Sequence, residues 1–305
     1  MRQQALKILK ASLATLAVFS LVSCAVGPSY EQPETLLPES FDQTPDNEEA
    51  GQNALWSAFS DPALNTLLSQ AQENNRSIAQ ASANLEETRA IKGLTIFSWF
   101  PTVTAEADRT KTGYSDLDPF VPASTASTDT YGAGFNASWE IDIFGSLRRQ
   151  NEAVASQERA SGYMLDAARL SVNAEVAQAY FSLRGAQEQL EIQTENVENL
   201  RNTNRILEAL LREGRGTELE LAQNRSLTLQ VEAQIPNTEA EVVRQEQRLA
   251  VLTAMPVNSV RELLSANNEM PSLPALQTIG TPEDWIKRRP DVLAAEQQFV
   301  VANAR

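Results

Sequence analysis

Residues 131–143 read YGAGFNASWEIDI. Apolar side chains alternate with small or polar ones along this stretch, so Tyr131, Phe135 and Trp139 share one side of an extended chain. A period of two predicts a β-strand, and the length suits a membrane-spanning strand of about 9–11 residues plus its ends. The other side holds glycine, asparagine and acidic residues, as a water-filled lumen would require. In a soluble protein the apolar side would instead cover a core.

A second, weaker alternation precedes this stretch. Val103, Ala105 and Ala107 alternate with polar residues after Pro101, which predicts a partner strand. Between the two, Thr112–Thr130 is rich in serine, threonine, aspartate and proline, as in an exposed loop. Two strands leave open edges that hydrocarbon does not tolerate. A membrane location therefore requires oligomerisation.

The sequence on either side of the strands is helical. Asp61 followed by Pro62 is a favoured helix start, and an apolar stripe continues at helical spacing to about Ala90. Another helix is predicted from Leu147, and from Val172 an apolar seven-residue repeat indicates left-handed supercoiling against a neighbour. The repeat consists of Val172, Val176, Ala179, Leu183, Ala186, Leu190, Val197, Leu200, Leu207 and Leu211, with Gln193 and Asn204 at two further seam positions.

This helix is predicted to end in a tight turn at residues 213–217. Gly214 can adopt the left-handed conformation that ends a helix, and Thr217 with Glu220 forms a capping box for the next one. Apolar residues from Leu221 to Leu252 then form one stripe, which Pro236 should kink or break. The pattern predicts a long antiparallel helical hairpin. A purely structural coiled coil would have the same periodicity.

Composition excludes several classes of function. The 305 residues include 40 Asp+Glu against 25 Lys+Arg, no His and one Cys. The absence of His removes His-based catalytic and metal sites, and a lone Cys removes intrachain disulfides and Cys-rich zinc sites. A net charge of -15 argues against a nucleic-acid binder. No nucleophile elbow, phosphate loop or paired acidic motif stands out, so we expect no enzyme, metal or cofactor.

The N-terminus has the features of a secretory signal. Arg2, Lys7 and Lys10 precede an uncharged, mostly apolar segment, Ala11–Val22, that is too short to span a membrane. The next residues, Leu21-Val22-Ser23-Cys24, resemble the bacterial lipobox, in which signal removal leaves a lipidated cysteine. We therefore expect lipid on Cys24; the alternative is an ordinary signal with an incidental thiol. By resemblance to lipoproteins, Ala25 rather than Asp after the Cys implies sorting to the outer membrane.

Short motifs occur along nearly the whole mature chain, and the most specific are the Trp-Glu-Ile-Asp-Ile-Phe-Gly and Arg-Arg-Pro-Asp strings. The motifs are Cys24–Tyr30 with Pro33, Trp56 through Phe59 to Asp61-Pro62, Ser138–Gly145 with Arg148-Arg149, Ala174–Ala177 with Tyr180, Arg288–Val292 with Ala295-Glu296, and Ala302–Arg305. In this order they resemble the TolC-like outer-membrane efflux channel family, in its lipoprotein branch (the NodT-type outer membrane factors of RND efflux systems).

This resemblance implies a mainly α fold with a transmembrane β part. Long antiparallel coiled-coil helices would form a periplasmic tunnel, and strand pairs from a homotrimer would close one outer-membrane β-barrel. It also implies an exit duct that works with a periplasmic adaptor and an inner-membrane transporter, without a catalytic site. Passage would be gated at the tip, where Gly214, Arg215, Gly216 and Thr217 are the candidate adaptor contacts; plain turn chemistry explains the two glycines equally well. Substrate specificity would lie mainly with the inner-membrane pump.

The family has two structural repeats per protomer, and we expect this sequence to be partial, because it ends as a second repeat begins. Ala254-Met255-Pro256 also departs from the family, which usually has Gly before Pro. The predicted segments are a signal peptide (1–23), a lipidated tether (24–55), a first periplasmic helix (56–98), a strand pair with an extracellular loop (99–144), the tunnel hairpin (145–256), a connecting equatorial segment (257–280) and an incomplete second-repeat helix (281–305).

The alternative function is a lipid-anchored periplasmic adaptor, which also carries a coiled-coil hairpin. An adaptor would have several soluble β-rich segments flanking the hairpin, and the sequence shows none of adequate length. We therefore expect an outer-membrane channel for small molecules such as drugs, anchored in a Gram-negative cell by lipid on Cys24 as well as by its strands.

Overall fold

The structure is a computed structural model that describes residues 27–33, 37–38, 40–41, 59–113, 127–265, 270–271 and 281–305. Cys24, the signal segment, most of the tether and residues 114–126 lie outside the described residues. The chain divides into two compact units. One comprises described residues up to 32 with 86–159 and 296–305, and the other comprises described residues from 33 to 85 and from 160 to 295.

The described residues are mostly helical and contain one pair of strands, which confirms the predicted fold class. In chain order the elements are α1 (Pro62–Asn74), α2 (Arg76–Thr95), a 3₁₀ helix (Ile96–Trp99), β1 (Thr102–Gly113), β2 (Ser127–Ser138), α3 (Ser146–Arg212), α4 (Glu218–Glu232), α5 (Ile235–Thr253), α6 (Val257–Ser265), α7 (Pro282–Arg288) and α8 (Pro290–Asn303). In the described part of the chain, every helix is too short or too polar to cross a membrane.

The first helix begins as predicted but ends earlier. Asp61 Oδ1 accepts hydrogen bonds from the backbone N–H groups of Ala63 (2.8 Å) and Leu64 (3.1 Å). A single helix to about Ala90 is wrong, because Asn75 adopts an extended conformation between α1 and α2. The Asn75 side chain accepts from the Ser77 N–H at 2.9 Å and donates to the Leu252 carbonyl at 2.8 Å. This buried cap stabilises the break, and it depends on a residue far away in the sequence.

The main core of the second unit surrounds the middle of α3. Seam residues Val172, Val176, Ala179 and Leu183 are buried there, as the heptad pattern predicts. They belong to one cluster with apolar residues of the other helices. Those residues include Ala63, Leu64, Leu67, Leu68 and Ala71 of α1, Ile78 and Leu85 of α2, Leu249, Ala250 and Leu252 of α5, and Val260 and Leu264 of α6.

The returning limb of the hairpin is broken where proline predicts it. α4 ends at Glu232 and α5 begins at Ile235, with Pro236 in its first turn. Because proline has no N–H, it cannot donate to the carbonyl one turn before it. α5 ends at Thr253, and the next residue, Ala254, is left-handed (φ 53°, ψ 26°). This is the conformation that favours glycine.

The C-terminal segment begins with a capping box. The Thr281 hydroxyl accepts from the Asp284 N–H at 3.2 Å, and the Asp284 carboxylate accepts from the Thr281 N–H at 3.3 Å. The expected single helix is divided in two, because α7 ends before Arg289, which is extended, and α8 begins at Pro290. A residue before proline is disfavoured in the helical conformation.

Candidate membrane strands and hairpin tip

The two strands form an antiparallel pair in which opposite residues share a face. One face is apolar at the end of the strands near the helices and charged at the far end. It carries the pairs Val103–Ala137, Ala105–Phe135, Ala107–Ala133, Arg109–Tyr131 and Lys111–Asp129. The other face is polar throughout and carries Thr102–Ser138, Thr104–Asn136, Glu106–Gly134, Asp108–Gly132, Thr110–Thr130 and Thr112–Thr128. The pair can therefore separate an apolar phase from a polar one.

The predicted membrane-facing residues are all exposed in the isolated chain. Tyr131 is 70% exposed, Phe135 86% and Trp139 58%. Tyr131 and Phe135 lie on the apolar face of β2, but Trp139 follows the end of the strand at Ser138. The position opposite Trp139 would be Pro101, which has no N–H for another ladder hydrogen bond. Instead, Trp139 Nε1 donates to the Trp99 carbonyl at 3.3 Å.

Large exposed apolar residues surround this helix-proximal end of the strands. We call them the apolar collar: Phe97, Trp99, Phe100, Trp139, Ile141, Ile143 and Phe144. Tyr131 lies toward the other end of the apolar face. Aromatic side chains at both borders of an apolar band are typical of membrane proteins.

Two glycines on the polar face leave room for acidic side chains. A Cβ atom at Gly132 would overlap the Asp108 carboxylate, and one at Gly134 would lie 3.9 Å from Glu106 Oε1. The Asp108 carboxylate can therefore lie across the neighbouring strand.

The predicted loop is shorter than Thr112–Thr130, because both strands continue into that range.

The link from β2 to α3 has a built-in helix cap. Asp142 accepts hydrogen bonds from the backbone N–H groups of Leu147 (3.1 Å) and Arg148 (3.2 Å) and from Arg148 Nε (3.2 Å). Desolvation opposes ionisation of this carboxyl group, but these hydrogen bonds outweigh it and lower the pKa of Asp142. The sequence alternation continues past the end of β2, but there Asp142 acts as a helix cap and is not a strand residue.

The hairpin tip forms the predicted turn. Gly214 is left-handed (φ 69°), and its N–H donates to the Leu211 carbonyl at 3.0 Å. The Arg215 N–H donates to the Leu210 carbonyl at 2.9 Å, which completes a Schellman motif. The Thr217–Glu220 capping box starts α4, and its hydrogen bonds from Thr217 lower the pKa of the Glu220 carboxyl group.

The four predicted adaptor-contact residues differ in what they do in the turn. Gly216 packs closely, because a Cβ there would lie 3.1 Å from the Leu211 nitrogen and 3.2 Å from Leu210 Cβ. The Gly214 and Thr217 conformations are likewise needed by the turn itself. The side chain of Arg215 is 74% exposed, and its ion pair from Nη1 to Glu213 Oε2 is long at 3.9 Å. Among the four, Arg215 is the side chain available to a partner.

A polar layer joins α3 and α4 below the tip. Asn224 Nδ2 donates to the Leu200 carbonyl (3.0 Å) and to Asn204 Oδ1 (2.9 Å). Asn204 Nδ2 donates to the Thr228 hydroxyl at 3.0 Å. A polar residue at a coiled-coil seam position specifies register. This layer therefore aligns the two limbs of the hairpin.

Sequence reasoning missed a buried polar network at the base of the hairpin. The Tyr180 hydroxyl donates to Asp61 Oδ2 at 2.5 Å and accepts from Arg184 Nε at 3.2 Å. Arg184 Nη2 also donates to the Leu264 carbonyl at 3.2 Å. Burial, with the hydrogen bond to Asp61, raises the pKa of Tyr180 to about 12.

This network brings together two of the sequence motifs, Asp61-Pro62 and Tyr180. Arg184 lies one helical turn after Tyr180, and it is only 2% exposed. The spacing of four residues could have indicated that Tyr180 and Arg184 are neighbours on the helix. A charged residue beside an apolar seam is usually exposed to solvent, so the sequence did not predict that Arg184 is buried.

The segment just after the predicted lipid site is fixed by hydrogen bonds within the first unit. Arg149 Nη2 donates to the Gly27 (2.8 Å) and Pro28 (3.3 Å) carbonyls, and Asn303 Nδ2 donates to the Pro28 carbonyl at 3.0 Å. The Tyr30 hydroxyl donates to Glu296 Oε1 at 3.1 Å. Cys24 itself lies outside the described residues.

Residues 67–254, more than half of the chain, match the family described as "Outer membrane efflux protein". The sequence is 27% identical to the "Cation efflux system protein CusC" of Escherichia coli O6:H1, over 93% of this chain and 61% of the relative. It is 28% identical to the "Probable outer membrane lipoprotein SilC" of Salmonella typhimurium, over 96% of this chain and 63% of the relative.

A solved structure of the outer-membrane channel OprN is also similar. It superimposes with a TM-score of 0.78 at 30% identity, over 92% of this chain and 63% of OprN. The chain thus spans about three-fifths of the length of the curated relatives it matches.

Proposed function

The chain belongs to the outer membrane efflux protein family, and we propose that the whole protein is the outer-membrane exit duct of a tripartite efflux system. It is a passive conduit for small molecules such as drugs, gated at its periplasmic tip. Family membership assigns it to the outer membrane of a Gram-negative cell. The observation that carries the proposal is a strand pair with one apolar and one polar face in an otherwise helical chain.

The strand pair supports an assembly of several copies. Its apolar face suits lipid and its polar face suits a water-filled lumen. In the described part of the chain it is the only sheet, and both of its outer edges have unpaired backbone groups. Since such edges must be satisfied in hydrocarbon, strand pairs of a homotrimer close a shared barrel.

The hairpin supports the periplasmic part of the proposal. Its limbs form the tunnel wall, and Gly214, Arg215, Gly216 and Thr217 at its tip meet the periplasmic adaptor, which links the duct to an inner-membrane transporter. Arg215 makes the side-chain contact, whereas the other three give the turn its shape. Lipid on Cys24 is an additional anchor beside the strands.

The adaptor alternative is less well supported. An adaptor needs soluble β-rich segments on both sides of its hairpin, but the residues that the structure describes include only the two-stranded sheet. That sheet has no buried apolar face, since every residue of β1 and β2 is exposed or half-buried. A soluble sheet would instead cover a core on one side.

The proposal is tested with the complete protein in a deletion strain. We expect the protein in outer-membrane fractions as a trimer, ion conductance after reconstitution into planar bilayers, and export restored only by the complete gene. A soluble periplasmic monomer without conductance would overturn the proposal.

Arg215 and Cys24 are tested separately. Arg215→Glu should weaken cross-linking to the adaptor and leave trimer formation unchanged; Arg169→Glu, on the exposed surface of α3, is the control for the charge change. Cys24→Ala should abolish incorporation of labelled palmitate, and labelling that persists would refute the lipid site.

A further inference from the structure

The apolar face of the strand pair ends in positive charges. Arg109 and Lys111 lie on the same face as Val103, Ala105 and Ala107, because residues two apart on a strand share a face. At the same level the polar face carries four threonines, Thr110, Thr112, Thr128 and Thr130, and no charge. The cations are therefore confined to the side that faces lipid in the proposed channel.

The distance along the strand places these cations at a membrane border. Phe100 of the apolar collar and Arg109 are nine residues apart, about 31 Å at about 3.4 Å per residue. With a strand tilt of about 40°, this corresponds to a height of about 23 Å, close to the apolar band of about 25 Å in outer-membrane barrels. Arg109 therefore lies at the border, and Lys111 lies beyond it in the headgroup region.

Arg109 and Lys111 lie at the outer leaflet of the membrane in the proposed channel. β1 runs away from α2, and β2 returns to α3, so Arg109 and Lys111 lie at the end far from the helices. The inference rests on the proposed function, which places those helices in the periplasm. The outer leaflet of such membranes contains phosphorylated glycolipid, and phosphate groups pair with Arg and Lys side chains through charge-assisted hydrogen bonds.

Local contacts hold the Arg109 side chain in place, and Lys111 has no ion pair, among the described residues, that would compete with a ligand. Arg109 lies over the Tyr131 ring, 5.5 Å from its centroid, and its Nη2 is 3.2 Å from Asp129 Oδ1. These contacts hold the guanidinium group beside the aromatic ring while its side chain stays more than half exposed. Lys111 forms no ion pair with any residue that the structure describes. With Asp129 included, the cluster keeps a net charge of +1.

We propose that Arg109, Lys111 and Tyr131 form a docking surface for the phosphorylated glycolipid of the outer leaflet. Tyr131 lies at the border between acyl chains and headgroups, and the two cations bind a phosphate group. Strand pairing with neighbouring copies uses strand edges, so it leaves this face open to lipid.

The test uses the complete protein purified from outer membranes in mild detergent, with native mass spectrometry of bound glycolipid. The double variant Arg109→Gln/Lys111→Gln should retain at least about fivefold less glycolipid, the effect expected from losing surface cations. Lys111→Gln alone, at an exposed residue without an ion pair, guards against misfolding of the double variant and should reduce retention as well. Arg169→Gln/Lys287→Gln removes the same charges elsewhere and should match the wild type.

Reconstituted nanodiscs distinguish the source of the phosphate. The wild type should bind lipid A more tightly than dephosphorylated lipid A or phosphatidylglycerol. Binding of dephosphorylated lipid A or phosphatidylglycerol as tight as that of lipid A, or unchanged retention by the variants, would overturn the inference. Trimer formation and conductance are measured on the same samples. If the glycolipid result is negative while both are normal, only the glycolipid surface is refuted. If both are absent as well, the proposed function is also refuted.

Discussion

The base and the distal part of the helical hairpin are stabilised in different ways. Around Tyr180, α3 is enclosed by apolar residues of several helices and linked to α1 and α6 through buried, charged hydrogen bonds. Between Val197 and the tip, hydrogen bonds and exposed ion pairs join α3 to α4, and most seam residues are only half-buried. Opening free energies are lower where fewer apolar contacts are buried, so the distal part is suited to movement and the base to support.

The largest expected effect is at the base. Tyr180→Phe removes the hydroxyl group that joins Asp61 to Arg184 and leaves two buried charged groups with fewer partners. We expect a loss of about 2–4 kcal/mol, measured by hydrogen exchange of α1 and α6 amides in the complete protein. Tyr163→Phe, at a half-buried position of α3 outside the network, is the control. Unchanged protection in α1 and α6 would show that the network does not support the base.

The same tyrosine predicts a dependence on pH. Its pKa in the folded protein, about 12, exceeds the ordinary value of 10.0, so the folded state favours neutral Tyr180. This contribution to stability is complete below about pH 10 and is lost as the pH rises toward about 12. The stability difference between the wild type and Tyr180→Phe should therefore shrink over this range; a constant difference in thermal midpoints would contradict the prediction.

A smaller effect is expected at the polar layer of the distal part. Asn224→Ala leaves Asn204 and the Leu200 carbonyl short of a donor, which should cost about 1 kcal/mol. Hydrogen exchange should become faster in α4 and the facing part of α3, with no change in α1. Asn199→Ala, on the exposed side of α3, is the control. Equal loosening of the base would mean that the two regions open together.

The turn glycines should differ from a glycine within α3. Gly214→Ala forces an alanine into a left-handed conformation and Gly216→Ala crowds Leu210 and Leu211, so each should cost about 1 kcal/mol. Gly162→Ala meets no atom within 4 Å and should instead stabilise the helix by about 0.5–1 kcal/mol. Hydrogen exchange near each position measures the effects. Three changes of the same sign would refute this assignment.

The smallest effect is expected at the end of α5. Ala254→Gly relieves a left-handed alanine and should stabilise the protein by up to about 1 kcal/mol, partly offset by the greater freedom of glycine when unfolded. Ala240→Gly, at an exposed position within α5, should be destabilising by about 1 kcal/mol. Thermal midpoints measure both changes, and destabilisation by Ala254→Gly would contradict the assigned conformation.

Features that depend on neighbouring residues were predictable from the sequence. The Asp61 cap, the Gly214 turn, both capping boxes, the Pro236 break and the seam around Val176 involve partners within a few residues, or a repeat that continues over many. The alternation of β2 likewise indicated its faces, because side chains on a strand must alternate.

Other features were decided by tertiary structure. Asn75 separates α1 from α2 with the help of Leu252, 177 residues away, and Asp61 meets Tyr180 across 119 residues. The strand ends before Trp139 because Pro101 lies opposite in the register and Asp142 caps α3. The sequence by itself determined the helices, their caps and the two strand faces, since these follow from the geometry of a few consecutive residues. Only the tertiary structure decided where those elements break and which polar groups meet in the core, because that depends on which distant groups compete for the same hydrogen bonds.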